Sequence, residues 1–214
     1  MRSRIEELLS VSTRSMWVGT FHGLAHRLLR MHWEEAGLPQ NFQIIDADDQ
    51  VRLIKRILKN LDLDEKKWPA RQAAWFINEQ KDQGRRCRDF EAGDDLFQIT
   101  HKRIYQEYEE ACYRGGLVDF AELLLRSYEI WLKHPLMLEH YRSRFKSLLV
   151  DEFQDTNTIQ YNWLKEIASD ISSITAVGDD DQSIYGCRGA KVENVSSFEA
   201  SFKKAKIIRL EQNY

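Results

Sequence analysis

The chain has 214 residues, 43% hydrophobic and 30% charged, which is ordinary for a globular protein with a packed core. The formal net charge of -3 argues against a strongly basic nucleic-acid-binding surface, although DNA binding through a local patch stays open. No apolar run approaches the roughly 20 residues of a membrane span, and the opening MRSRIEELLS has no signal-peptide core, so a cytoplasmic protein without membrane contact is expected. The three cysteines are far apart and form no C-x-x-C pair, so neither a disulfide framework nor a zinc site is predicted.

Most of the chain before Ser147 has the periodicity of helices. Residues 16–20, MWVGT, are an exception, because this short apolar run predicts a buried strand that ends in a turn. Apolar residues then recur at three- and four-residue spacing, which predicts a helix from Phe21 to Ala36 that the GLP sequence stops. Further helices are predicted from Asp46 and from Pro69, over 96–113 and 119–133, and near 135–145, with a loop over 83–95.

Short apolar runs that end in acids begin at Ser147. They read SLLVDE, SITAVGDDD and AKIIRLEQN, with helical segments between them. This alternation predicts parallel strands joined by crossover helices. We therefore predict an α/β protein in which residues 1–20 and 146–214 form the sheet domain and residues 21–145 form a mostly helical inserted subdomain.

The first acidic strand end lies in the sequence LLVDEFQD. Ligands of open α/β sheets bind beyond the carboxyl ends of strands, so Asp151 is predicted to hold Mg2+ and Glu152 to orient or deprotonate an attacking water. Neighbouring residues of an extended segment point to opposite sides, which allows the two carboxylates to take different roles. The alternative is that both acids merely end the strand and cap the next helix.

The second acidic strand end lies in ITAVGDDDQSIYG. Gly178 allows a close turn there, and Gln182 has both a donor and an acceptor with which to sense a phosphate oxygen or a water. The three acids 179–181 between them are more simply read as a solvated turn, one of them capping a helix.

Five motifs in order resemble one known family. The segments VGTFHGLAHRLL, GLVDFAELLL, DEFQDTN, GDDDQSIYGCRGA and LEQNY are similar to motifs of the UvrD/PcrA/Rep group of superfamily 1 helicases, and in particular of its UvrD branch, over nearly the whole chain. The resemblance implies a parallel RecA-like P-loop NTPase sheet, called 1A in the family, with the helical insertion called 1B. It implies an ATP-driven motor that moves 3′ to 5′ on single-stranded DNA, separates duplex, and acts in DNA repair or replication, where repair proteins would be partners.

The resemblance also implies roles for individual residues. Asp151 would coordinate Mg2+, and Glu152 would be the catalytic base of ATP hydrolysis. Three residues would respond to the nucleotide: Gln182 would couple the γ-phosphate to the DNA site, Arg188 would link nucleotide state to DNA, and Tyr214 would lie against the adenine. The DNA itself would be contacted by Tyr185, which would offer an aromatic surface to a base, and by Thr20 and His22, which would contact the DNA backbone.

The sequence departs from the family pattern in three ways. It contains no G-x-x-x-x-G-K-[ST] loop for the β- and γ-phosphates, and it stops at Tyr214, where the family continues into a second motor domain. The isolated chain is therefore expected to have little or no ATPase activity, and an incomplete sheet would expose an edge that invites dimerisation. Cys187 also stands where the family usually has tryptophan, which removes a stacking surface worth about 1 to 3 kcal/mol per base and predicts a weaker grip on DNA.

Other functions stay open on the residues alone. The chain is either part of such a motor or a module that binds single-stranded DNA or a repair partner without turnover. A third alternative is a metal-dependent nuclease built on Asp151, Glu152, Asp155 and Asp179. Two smaller questions concern the loop arginines Arg85, Arg86 and Arg88, which either face solvent or contact DNA phosphates, and the pair His22 and His26, whose spacing suits a metal although no third ligand is evident.

Overall fold

The computed structural model describes residues 2–9, 12–13, 16–169, 173–179, 198, 201–202, 206 and 208. Its helices are α1 (Arg2–Leu9), α2 (Phe21–Met31), α3 (Ala47–Asn60), α4 (Ala70–Asp82), α5 (Leu96–Gly115), α6 (Phe120–Lys133), α7 (Pro135–Arg144) and α8 (Thr158–Ala168). Its strands are β1 (Gln43–Ile44), β2 (Leu117–Val118), β3 (Ser147–Val150) and β4 (Ser173–Ala176). The described part is thus a mixed α/β structure in which helices dominate. None of the helices in these ranges is both long enough and apolar enough to cross a bilayer.

Polar side chains begin most of the long helices. Those of Thr20, Asp46, Asp95, Asp119 and Asn157 each accept a hydrogen bond from a backbone N–H in the first turn of the helix that follows. Such a cap satisfies a donor that the helix leaves free and contributes about 1 kcal/mol. The predicted helix starts at Asp46 and Pro69 are confirmed.

The predicted strand over 16–20 is wrong for the described structure, because no strand forms at these residues. The ring of Trp17 instead packs edge-to-face against Tyr141, with 5.3 Å between ring centroids, and lies under the guanidinium of Arg27. The apolar character of this run is therefore used in packing between α2 and α7 rather than in a sheet.

The strands form two separate parallel pairs. Strand β1 pairs with β2, and β3 pairs with β4 in a register that sets Val150 opposite Ala176. The second pair confirms the predicted parallel strands at SLLV and SITA. The third predicted strand, in AKIIRLEQN, lies mostly outside the described residues.

Two hydrophobic cores hold helices α2 to α8. One joins α2, α6, α7 and α8 with Val150 of β3, and the other joins α3, α4 and α5. Residues 21–145 therefore contribute to both cores, since α2, α6 and α7 pack with the elements around β3. The division at residues 20 and 146 stays a prediction.

Candidate active site

The carboxyl ends of β3 and β4 lie side by side. Beyond β3, the N–H of Phe153 donates to the carbonyl of Val177 at 2.9 Å, and the N–H of Val177 donates to the carbonyl of Val150 at 2.8 Å. The exposed acids Asp151 and Glu152 follow β3, and Asp179 follows β4. The pairing therefore brings both acidic strand ends to one edge of the sheet.

Glu152 has a left-handed backbone, with φ 52° and ψ 46°. The segment is consequently not extended at this point, and the expected alternation of Asp151 and Glu152 to opposite sides does not apply. A non-glycine residue in this conformation costs about 1 kcal/mol or more, so neighbouring contacts must hold it there. One of them is the hydrogen bond from the Glu152 N–H to Asp151 Oδ1 at 3.1 Å.

Neither carboxylate of the pair is neutralised by a cation in the described part of the chain. Asp151 and Glu152 form no ion pair with any residue that the structure describes. Mg2+ is usually held by one or two carboxylates together with phosphate oxygens and waters, so an exposed and unpaired Asp151 suits this ion. The donor set of this strand end fits the predicted magnesium site.

The described residues form no metal cluster of the nuclease type. Within the described ranges, no three His, Cys, Asp or Glu side chains are grouped so that they could hold one ion. This weighs against the nuclease built on Asp151, Glu152, Asp155 and Asp179, and against a metal site at His22 and His26. The Oδ1 atom of Asp155 is instead buried, and no described group donates a hydrogen bond to it.

Gln154 is a site residue that sequence reasoning missed. Its side chain is buried at the junction of the two strand ends, where Nε2 donates to Glu152 Oε2 at 2.6 Å and Oε1 accepts from the Asp179 N–H at 3.1 Å. Only its place between Glu152 and Asp155 in DEFQD pointed to it, since an amide in a polar segment is usually exposed.

The predicted DNA-binding residues Thr20 and His22 lie at the start of α2. Thr20 is exposed, and its Oγ1 accepts from the Gly23 N–H at 3.2 Å. The ring of His22 stands edge-to-face to Phe120, with 6.0 Å between centroids, and burial lowers the pKa of this imidazole. His22 is therefore neutral near pH 7 and suits a hydrogen bond to a phosphate better than an ion pair.

The remaining predicted site residues belong to the last third of the chain. Gln182, Tyr185, Arg188 and Tyr214, together with Cys187, lie outside the described residues.

A second set of acids is buried and paired. Lys81 Nζ lies 2.6 Å from Asp119 Oδ2 and 3.0 Å from Glu122 Oε2, and Arg86 contacts Glu122 at 2.8 Å and Glu129 at 2.7 Å. Burial alone would lower the pKa of Lys81, but Asp119 and Glu122 outweigh it and raise this pKa to about 12. These groups join α4, the segment after it and α6.

Both predictions for Arg86, a solvent-facing side chain or a DNA contact, are wrong. Its guanidinium is nearly buried and is held by carboxylates of α5 and α6. Arg88 is exposed, as a solvated loop predicts, and pairs with the neighbouring Asp89. Arg85 is partly buried and hydrogen-bonds to Gln83.

Known proteins place the chain in a family. Residues 1–203 match the UvrD/REP helicase N-terminal domain, and the chain belongs to that family. Over its whole length it is 58% identical to DNA helicase II of Escherichia coli and 54% identical to DNA helicase II of Haemophilus influenzae, and it covers 30% of each relative. It is 40% identical to the ATP-dependent DNA helicase PcrA of Leuconostoc citreum, of which it covers 29%. The resemblance predicted from the motifs is confirmed, and the chain spans about 30% of the length of these relatives.

Proposed function

We propose that this chain forms part of an ATP-driven DNA helicase that moves 3′ to 5′ on single-stranded DNA and unwinds duplex in repair or replication. The observation that carries the proposal is the exposed pair Asp151 and Glu152, which no described cation neutralises, at the end of a parallel strand. The relatives named above, which are DNA helicases by name, support it.

In this proposal the two acids divide the chemistry of ATP hydrolysis. Asp151 coordinates Mg2+, directly or through water, and Glu152 accepts a proton from the attacking water or orients it. Bound Mg2+ would neutralise charge on the phosphate oxygens. Gln182 and Arg188 respond to the γ-phosphate and to DNA, and Tyr214 lies against the adenine.

The DNA contacts are proposed on the other motifs. Thr20 and His22 hold the backbone of the single strand, and Tyr185 stacks against a base. The proposal includes a RecA-like P-loop sheet formed by residues 1–20 and 146–214, with residues 21–145 as the inserted subdomain. Single-stranded and duplex DNA, ATP and repair proteins are its partners.

The substitution Glu152→Gln tests the proposal in the complete protein that carries this chain. Glutamine keeps the shape and an acceptor for Gln154 but cannot take a proton, so DNA-stimulated ATP hydrolysis should fall about 10²- to 10⁴-fold. The matched control is Glu139→Gln, at an exposed acid of α7, which should leave the rate unchanged.

Two results would count against the motor. An ATPase rate of Glu152→Gln within a few-fold of the parent would remove the proposed base. DNA binding that is indifferent to Mg-ATP, in a parent without turnover, would support the non-catalytic binding module instead.

A further inference from the structure

The amide of Gln154 spans the gap between the two strand ends. Its side chain is 2% exposed, with Nε2 on the Glu152 carboxylate and Oε1 on the Asp179 N–H, at 2.6 and 3.1 Å. Only this orientation satisfies both partners, because a flipped amide would set a carbonyl against the carboxylate and an NH2 group against an N–H donor. The two neighbours of Gln154 therefore fix its direction.

Gly178 makes room for this amide. A Cβ atom at Gly178 would lie 2.6 Å from Gln154 Oε1 and 3.3 Å from the Gln154 backbone nitrogen. Gly178 is not among the glycines with a positive φ, so an L side chain is compatible with its backbone. The Oε1 atom of Gln154 is therefore the main steric obstacle to a side chain at position 178.

We infer that Gln154 is a positioning residue that holds the Glu152 carboxylate in place and ties it to the backbone at the end of β4. The inference rests on the proposed function, in which Glu152 accepts a proton from the attacking water or orients it. A hydrogen bond to Oε2 fixes the carboxylate of a residue whose left-handed backbone is itself strained, and it leaves Oε1 for the water. The same amide connects the proposed base to Asp179, three positions before Gln182.

A double-mutant cycle tests this link directly. Gln154→Ala removes the amide, and Gly178→Ala pushes it out of place, so each change alone should lower kcat for DNA-stimulated ATP hydrolysis about tenfold or more while KM for ATP stays within about twofold. In the Gln154→Ala background there is no oxygen left to displace. Gly178→Ala should then lower kcat by less than about twofold further, since only the backbone contacts at 3.3 and 3.5 Å remain.

The cycle is run in the complete protein, with denaturant unfolding measured for every variant. Gln106→Ala, at an exposed glutamine of α5, is the matched control and should leave kcat unchanged. A change in kcat without a change in KM for ATP separates positioning of the base from a general loosening of the nucleotide site.

The outcomes are distinguishable. An active parent in which Gly178→Ala costs the same in both backgrounds, or in which KM rises while kcat holds, overturns the role of Gln154 and leaves the proposed function standing. A parent without DNA-stimulated ATPase overturns the proposed function, and the positioning role falls with it.

Discussion

Two strand ends of this molecule carry the same pattern of an apolar run followed by an acid and a helix. After β2, Asp119 and Glu122 are 3% and 4% exposed, and Lys81 and Arg86 compensate their charge. After β3, Asp151 and Glu152 are exposed, and no described cation pairs with them. The same residue types are therefore used for structure in one place and are open to a ligand in the other.

The difference shows that charge compensation, rather than residue type, separates the two uses. An acid that is already paired with a cation inside the protein binds a further cation only weakly. Removing its partner lowers the stability of the fold, because an uncompensated charge stays buried. An acid held at a sheet edge without a counter-charge can still attract a metal ion or bind a water.

The largest effect is expected from removing the buried cation. Lys81→Met leaves Asp119 and Glu122 without one of their counter-charges, so the free energy of unfolding should fall by about 3 to 5 kcal/mol in denaturant titrations. Lys55→Met, which breaks the exposed pair with Glu65, should cost less than about 1 kcal/mol. Equal losses in the two variants would mean that burial does not distinguish these pairs.

A smaller effect of opposite sign is expected at Asp82, the last residue of α4. Burial, with the nearby charge of Asp119 adding to it, raises the pKa of this carboxyl from 3.8 to about 6, despite a hydrogen bond from Asn157. Between pH 4 and 6 the folded state then keeps a proton that the unfolded state has lost, so this group favours folding as the pH falls. Above pH 6 both states are ionised and the folded state carries the full cost.

Asp82→Asn should remove that cost. We expect the variant to be more stable than the parent by about 3 kcal/mol at pH 8, with the difference shrinking toward zero near pH 4. Unfolding curves across this pH range measure it. A constant difference at all pH values would show that the Asn157 hydrogen bond, and not ionisation, decides the result.

The smallest effect is expected at the open acids. Asp151→Asn keeps an oxygen for the Glu152 N–H and removes a charge that no described residue pairs with, so the free energy of unfolding should change by less than about 0.5 kcal/mol. A loss above about 1.5 kcal/mol would give Asp151 a structural role and support its reading as a strand end.

Sequence reasoning located what depends on neighbouring residues. The helix starts at Asp46 and Pro69 and the parallel strands from Ser147 onward follow from local patterns and are confirmed. Strands β1 and β2 have two residues each, which is too short for an alternation to appear.

What could not be predicted depends on residues far apart in the sequence. Arg86 is buried because Glu109, Glu122 and Glu129 come from two other helices, and no feature of its own segment reveals them. The burial of Gln154 likewise depends on the close approach of the segment after β4, where Asp179 lies 25 residues further along the chain.

The buried ion pairs of Lys81 and Arg86 also limit how the chain can be shortened. Lys81 and Arg86 come from α4 and the segment after it, whereas Asp119 and Glu122 begin α6, which belongs to the other core. Excising α3–α5 and closing the gap with a linker would leave Asp119 without a cation and Glu122 with Arg126 alone as its counter-charge. Any minimal version of this protein therefore has to keep both cores or replace those acids with apolar residues at the same time.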